Sequence, residues 1–357
     1  MRRVARISFA PLLFLLGLIQ SPSPAGAGEG VRIATYNTEF SRRGPGLLLR
    51  DIERGTDPQV KAVLQVIQEI QPDILLLQGV DWDFELRALK ALERKLSLAG
   101  HPYPHLFMAQ PNRGMRTGLD LDGDGLLNGP GDAQGYARFT GKGGIALLSR
   151  LPIANAGVTD LSTLLWKDLP GASLPKGKDG TEYFSKEALD ILRLATTAHW
   201  VIPINLTNGQ VLQLLCFQAG TPLFDGVEDR NGLRNRDEIR LWQVFLDGAL
   251  PGLPSPPDSQ FVLLGGANLD PRRGQGYRSA MRDLLEDSRL QDPAPQGEGG
   301  GSETVEWAKA GRMRVSYLLP SRDLTVLDAG VLWPLDPEHP ANRASRHRLI
   351  WADIQID

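Results

Sequence analysis

The stretch Phe261–Pro271, FVLLGGANLDP, decides how this chain is read. Four apolar residues, Phe261 to Leu264, run into Gly265 and Gly266, which is the pattern of a buried strand stopping at a tight turn. Asn268 and Asp270 then stand at its tip. Polar side chains at the end of a buried strand are a common way to build a site, so the other segments are read by whether they deliver residues to the same place.

Upstream, Val31–Asn37 (VRIATYN) is rich in β-formers and ends on Asn37, and Gly44, Pro45 and Gly46 mark the loop beyond it. Asp57 and Pro58 have the order of a helix N-cap and first turn, followed by Val60, Val63, Leu64, Ile67 and Ile70 at helical spacing. Asp73–Gln78 (DILLLQ) is a buried strand closing on Gly79. A second amphipathic helix carries Leu86, Leu89, Leu92 and Leu96 and stops at Gly100. Gly143–Arg150 (GGIALLSR) is a further apolar strand, and Ser185–Leu194 reads as a short helix. His199–Leu206 and Val211–Cys216 flank Asn208 and Gly209, a strong hairpin signal. Asp237–Leu250 places Ile239, Trp242, Phe245, Leu246 and Ala249 on one helical face. A helix over Tyr277–Leu285 and strands over Met313–Leu319, Leu324–Val331 and His347–Ile354 complete the chain. Buried strands interleaved with amphipathic helices, plus one hairpin, specify an α/β fold with mixed sheets.

Composition narrows the function. Arg2, Arg3 and Arg6, an apolar run from Ile7 to Ile19 and the small residues Ala25, Gly26 and Ala27 form the pattern of a secretory signal peptide cleaved after Ala27. The expectation is therefore a secreted or periplasmic domain over residues 28–357 with no membrane span after cleavage. Loss of three arginines and no acids takes the net charge from −3 to −6. Nonspecific nucleic-acid binding needs a basic surface, so nucleic acid is not the expected partner. Cys216, the single cysteine, lies in an apolar run and reads as a buried thiol.

Six blocks now carry a resemblance: RIATYN (Arg32–Asn37), PDILLLQG (Pro72–Gly79), GGIALLSRLPI (Gly143–Ile153), LLGGANLDP (Leu263–Pro271), RVSYLLPS (Arg314–Ser321) and ASRHRLIWADI (Ala344–Ile354). In order and spacing they resemble the exonuclease/endonuclease/phosphatase superfamily, and DAQGYARF, FDGVEDRNGLRN and DEIRLW resemble a bacterial secreted branch of it. The resemblance implies a four-layer α/β/β/α sandwich of two mixed sheets with a site at one rim. It also implies a divalent cation held by carboxylates, a carboxylate that activates water and histidines that stabilise phosphoryl oxygens. Magnesium takes hard oxygen ligands, so those acids are not replaceable by small residues. Yet the metal acid after PDILLLQ is Gly79, the Asp of the Gly-Asp-x-Asn element is Gly266, and the Asp that orients the terminal histidine is Ser316. Arg346 stands for the Asp before that histidine, and Gln218 for the mid-chain histidine. Asn37, Asn268 and His347 remain.

The expectation is a protein that has lost metal-dependent hydrolysis, with no catalytic magnesium or manganese, and that survives as a binding or structural protein for a small phosphorylated or protein ligand. Arg346, Arg348 and Asp270 are the candidate ligand-binding residues; Arg343 reads as part of a solvated charge run. Strand alternation would put Arg346 and Arg348 on one face and His347 on the other. The alternative is an active phosphoesterase with relocated acids drawn from Asp81, Asp83 or Asp270. Separately, Asp120, Asp122, Asp124, Gly125 and Asn128 in DLDGDGLLNG match the first half of a calcium loop, with Gly131 at the twelfth position and Asp132 beside it. An acidic solvated loop has the same pattern, and calcium there would brace the insertion rather than act on substrate.

Overall fold

Strands buried on both faces read as continuous apolar runs, and alternate side chains of such a strand enter different layers. Ile33, Ile74, Leu76, Ile145 and Leu147 pack inward against Trp200, Ile202, Leu214, Cys216, Val262 and Leu264. Their neighbours Ala34, Leu75, Leu77, Ala146 and Leu148 face outward onto helices. That alternation builds the four layers.

A computed structural model describes residues 30–356; the leader expected at 1–27 lies outside them. In chain order the strands are β1 (Gly30–Asn37), β2 (Ile74–Val80), β3 (His105–Phe107), β4 (Gly144–Ser149), β5 (Thr159–Asp160), β6 (Ala198–Asn205), β7 (Val211–Gln218), β8 (Phe261–Gly266), β9 (Val305–Trp307), β10 (Gly311–Met313), β11 (Ser316–Pro320), β12 (Val326–Val331) and β13 (Ile350–Gln355). The helices are α1 (Leu47–Arg54), α2 (Pro58–Ile70), α3 (Arg87–Leu98), α4 (Lys186–Leu189), α5 (Arg230–Leu246), α6 (Arg278–Leu285) and α7 (Ala341–Ala344). One large sheet has the order β12-β13-β1-β2-β4-β3 and the second β11-β8-β7-β6-β5, while β9 and β10 pair as a separate antiparallel ribbon. Each large sheet contains one parallel pair, β1/β2 and β7/β8, among antiparallel neighbours. Helices α2 and α3 cover the first sheet, and α5 and α6 cover the second through Ile239, Trp242, Phe245, Met281 and Leu284. The sandwich of two mixed sheets is the expected one.

Asp57 caps α2 through a hydrogen bond from the Val60 amide, and the β6/β7 hairpin turns through Asn208 and Gly209. Cys216 is fully buried between the sheets, and burial raises its thiol pKa. Several elements depart from the sequence expectation: α1, α7 and the short strands β3, β5 and β9 have no counterpart in it, and β13 starts at Ile350 rather than His347. Helix α5 begins at Arg230, seven residues before the expected start, because Asn235, Asp237 and Glu238 are buried polar groups that hide its early periodicity. Only α4 forms within Ser185–Leu194. Strand Met313–Leu319 breaks into β10 and β11, since Asp270 takes the Arg314 amide and Thr304 takes those of Val315 and Ser316.

Candidate functional site

Parallel register brings the two motif asparagine and glutamine positions together: Asn37 at the end of β1 lies opposite Gln78 of β2. In the second sheet Gln218, Gly266 and Ser316 lie side by side at the ends of β7, β8 and β11. Thr304 joins this row to the turn before β13, its hydroxyl accepting the Ser316 amide and its carbonyl the Arg348 amide. Ser345 in that turn donates to the Asn37 carbonyl at 2.8 Å. These positions thus share one rim, but Gln78, Gln218, Gly266 and Ser316 bring only neutral groups to it.

Packing explains three of the replacements. Gly79 has φ +74°, where the β2/β4 register shifts, and a Cβ there would lie 3.0 Å from both Asn37 Oδ1 and the Glu39 amide nitrogen. A side chain at 79 is therefore disfavoured by backbone and by space. At Gly266 a Cβ would come within 2.2 Å of Gln218 Oε1. The Gln218 amide, anchored to the Ala219 carbonyl at 3.2 Å, fills the room a side chain at 266 would take. Asn268, at φ +53°, donates to the same Ala219 carbonyl at 2.8 Å.

Glu39, which sequence reading did not single out, holds the mouth of the rim. It accepts from the Arg346 amide at 2.9 Å, from Arg346 Nε at 2.9 Å and Nη2, and from Ser345 Oγ at 3.1 Å. Burial alone would raise the Glu39 carboxyl, but the Arg346 hydrogen bonds outweigh it and hold it below its ordinary value. An acid two residues beyond Asn37 was the available signal; its partner 307 positions away was not. Arg346 is thus neutralised by a charge-assisted, multiply bonded pair.

His347 is 5% exposed, its Nδ1 has no partner, and Trp307 meets its ring edge-on at 5.8 Å. Desolvation lowers its pKa to about 4 against the opposing pull of Glu39, with Arg346 and Arg348 adding to the lowering. The expected strand alternation does not hold here. Residues 345–349 precede β13, and His347 and Arg348 both turn inward while Arg346 is exposed. Arg348 is a brace: it donates to the Ser345 carbonyl at 2.8 Å and Asn342 Oδ1 at 2.9 Å, and stacks 4.7 Å from the centre of Trp333. Asp270 is likewise turned inward, accepting the amides of Arg272, Arg273 and Arg314 at 2.7, 2.9 and 2.8 Å. Arg343 is exposed and meets Glu338 at 3.5 Å.

The other candidate acids are engaged too. Asp81 accepts the amides of Arg42 and Gly143 at 2.8 and 2.9 Å, and burial raises its pKa. Asp83 accepts those of Arg87 and Ala88 at the start of α3. The residues at this rim do not fit a divalent cation: Gly79, Gly266 and Ser316 offer no carboxylate, Glu39 is bound to Arg346, and Glu306 is paired with Arg312 at 3.3 Å. Among the described residues, three metal-capable side chains converge only at Asp120, Asp122 and Asp124, whose ligand atoms lie within 4.8 Å of one another. Asp120 accepts the amides of Gly123 and Gly125 at 2.7 and 2.9 Å, while Asp122 Oδ1 is buried without a partner. Asn128 takes φ +66°, and its carbonyl accepts from Arg116. Asp132 is used within the loop, accepting Leu121 and Gly129 amides at 2.9 and 2.7 Å.

The branch-like stretches meet in a buried polar network under the rim. Glu238, raised by burial to about 7, accepts from the Thr196 amide at 2.6 Å and the Gly220 amide at 2.7 Å. Arg234 donates to the carbonyls of Leu194 and Gln134 at 2.9 and 2.6 Å. Asn235 donates to those of Gly220 and Ala267 at 2.7 and 2.8 Å. These residues fasten α5 to the loops leaving β7 and β8.

Two face-to-face mixed sheets flanked by helices, with motif positions gathered at one rim, define a deoxyribonuclease-like sandwich. The profile described as Endonuclease/Exonuclease/phosphatase family matches residues 34–347, and the chain belongs to that family. Comparison with curated proteins finds no match. Similar solved structures include an endonuclease/exonuclease/phosphatase from Beutenbergia cavernae at 15% identity and TM-score 0.53, covering 92% of this chain and 72% of that one. A family protein from Leptotrichia buccalis has 15% identity and TM-score 0.52 over 91% of this chain and all of the other, 100%. An AP endonuclease from Archaeoglobus fulgidus has 12% identity and TM-score 0.50, covering 91% and 100% of the two chains. At these identities the likeness describes the fold.

Proposed function

We propose that this chain is a secreted family member that has lost metal-dependent hydrolysis and acts as a binding or structural protein. One observation carries the reading: the two carboxylates that line the rim beside Arg346 and Arg348 are both paired with arginine, Glu39 with Arg346 and Glu306 with Arg312 at 3.3 Å. Without a metal, the electrophile that offsets charge on a phosphoryl group is missing. A histidine held neutral and walled in by Trp307 does not replace it. The engagement of Asp81, Asp83 and Asp270 by backbone amides weighs against an active enzyme with relocated ligands. Secretion rests on the leader pattern of residues 1–27. No helix among the described residues is long and apolar enough to cross a membrane.

The test is hydrolysis of a generic phosphodiester and a phosphomonoester with magnesium, manganese or calcium, beside a His347→Ala control. No turnover with any metal is expected. Turnover that disappears in the control overturns the proposal.

A further inference from the structure

The two loops that leave the rim from β7 and β8 enclose a cleft of about 370 Å³ lined by Phe224, Asp225, Asp229, Gln275 and Tyr277, among others. Its size lies within the range of small-ligand pockets. The segment that forms it is unusual in its backbone. Phe224 sits at φ +70° with its ring 88% exposed, and Asp229 sits at φ +52°. A bulky residue in the left-handed region is a genuine outlier, and such strain persists where neighbouring structure imposes it. Here it presents an aromatic ring to solvent beside two carboxylates, with Val227 71% exposed nearby in the same loop.

The charged residues lining the cleft are acidic, with Arg236 standing behind the Tyr277 ring at its edge. No Lys, Arg or His lines it, whereas Asp225 and Asp229 do. The start of α5 opens toward this loop, but its positive end is already answered by Asp225, which accepts the Asn231 amide at 2.5 Å. Asp229 accepts the Tyr277 hydroxyl; burial first, and this bond second, raise the Tyr277 phenol pKa. A carboxylate has about four acceptor positions, so both acids retain capacity for a donor. The aromatic side of the site already accommodates a cation, since the Arg236 guanidinium stands 5.8 Å from the centre of the Tyr277 ring while bonded to Ser173. Aromatic faces and half-buried carboxylates together favour organic cations over anions or neutral polar groups.

We propose that this cleft binds an ammonium or guanidinium group, with Phe224 and Tyr277 packing on its aliphatic stem and Asp225 and Asp229 accepting its hydrogen bonds. The site is separate from the His347 rim, and the inference stands whether or not hydrolysis is retained. Two sources offer that chemistry, a free polyamine and a basic side chain of a peptide.

Both are tested by calorimetric titration of the protein at low ionic strength, using spermidine in one arm and an acetylated, amidated oligolysine in the other. An oligoglutamine peptide is the neutral control. Saturable binding of at least one cation is expected, with Phe224→Ala and Asp229→Asn each weakening it about fivefold. Asn is favoured in the left-handed region, so Asp229→Asn keeps the backbone while removing the charge. Phe224 is exposed, so its truncation leaves the core intact. Saturation by one arm alone supports the proposal and assigns the source. Absence of saturation in both arms, equal binding of the neutral peptide, or parental affinity in both variants overturns it.

Discussion

Gly266 and Gln218 are two of the positions where the family's acidic and histidine motifs are missing, and their contact makes a quantitative prediction. Gly266→Ala adds one carbon that would lie 2.2 Å from Gln218 Oε1, 2.9 Å from its Cδ and 3.1 Å from its Nε2. Gly266 is not among the positive-φ residues, so the backbone itself accepts alanine and the cost is steric. Relief requires Gln218, 7% exposed, to leave its rotamer and its 3.2 Å bond to the Ala219 carbonyl. A lost buried hydrogen bond costs about 0.5–1.5 kcal/mol and overpacking about 1–3 kcal/mol. The flexible end of Gln218 can yield and relieve most of the clash, so the cost should fall below that full sum, at about 1–2 kcal/mol. In a Gln218→Ala background the same alanine should cost nearly nothing, giving a coupling energy of about 1–2 kcal/mol in a double-mutant cycle. Urea unfolding of the parent, both single variants and the double variant measures it. Gly79→Ala is the contrast: its contacts are Asn37 Oδ1 and Glu39 backbone at 3.0 Å and its φ is +74°, so its penalty should persist when Gln218 is removed. Additive energies for Gly266 and Gln218, within about 0.3–0.5 kcal/mol, would refute the idea that glutamine occupies the vacated motif space.

Three further outcomes are expected. Phe224→Gly should raise stability by about 0.5–1 kcal/mol, since relief of a left-handed bulky residue exceeds the extra entropy of glycine in the unfolded chain; an unchanged or lower urea midpoint contradicts the strain. His347 is neutral in the fold down to about pH 4 against an ordinary value of 6.5 because it is desolvated, so the unfolded chain takes up the proton first as pH falls. The His347 contribution, present above pH 6.5, is lost toward pH 4, by on the order of 3 kcal/mol, and its size is read as the difference between the parent and His347→Asn; His199, lowered to about 3 by complete burial, adds a slope of the same sign and Glu238, raised to about 7, one of the opposite sign, and both are common to the two proteins. For the Asp120 loop, calcium should raise the melting temperature and Asp122→Asn should abolish the rise, whereas equal melting in calcium and in chelator would remove the metal from that loop.

Sequence by itself determined the sandwich. Runs such as ILLLQ and FVLLG are apolar at every position because both faces of each central strand are buried, and that signal is local. The missing acids were equally legible, because neither glycine nor serine carries the carboxylate that those positions would have to supply. Tertiary structure decided what took their place. Glu39 looked like an ordinary loop acid until folding set it against Arg346, 307 residues away. Asp270 and Arg348 looked available until backbone amides and carbonyls claimed them. The start of α5 was hidden because its inward face binds polar loops instead of packing on hydrocarbon, so periodicity had nothing to report. The cleft beside Phe224 depends on two loops that meet only in space, and on a backbone angle that sequence does not display.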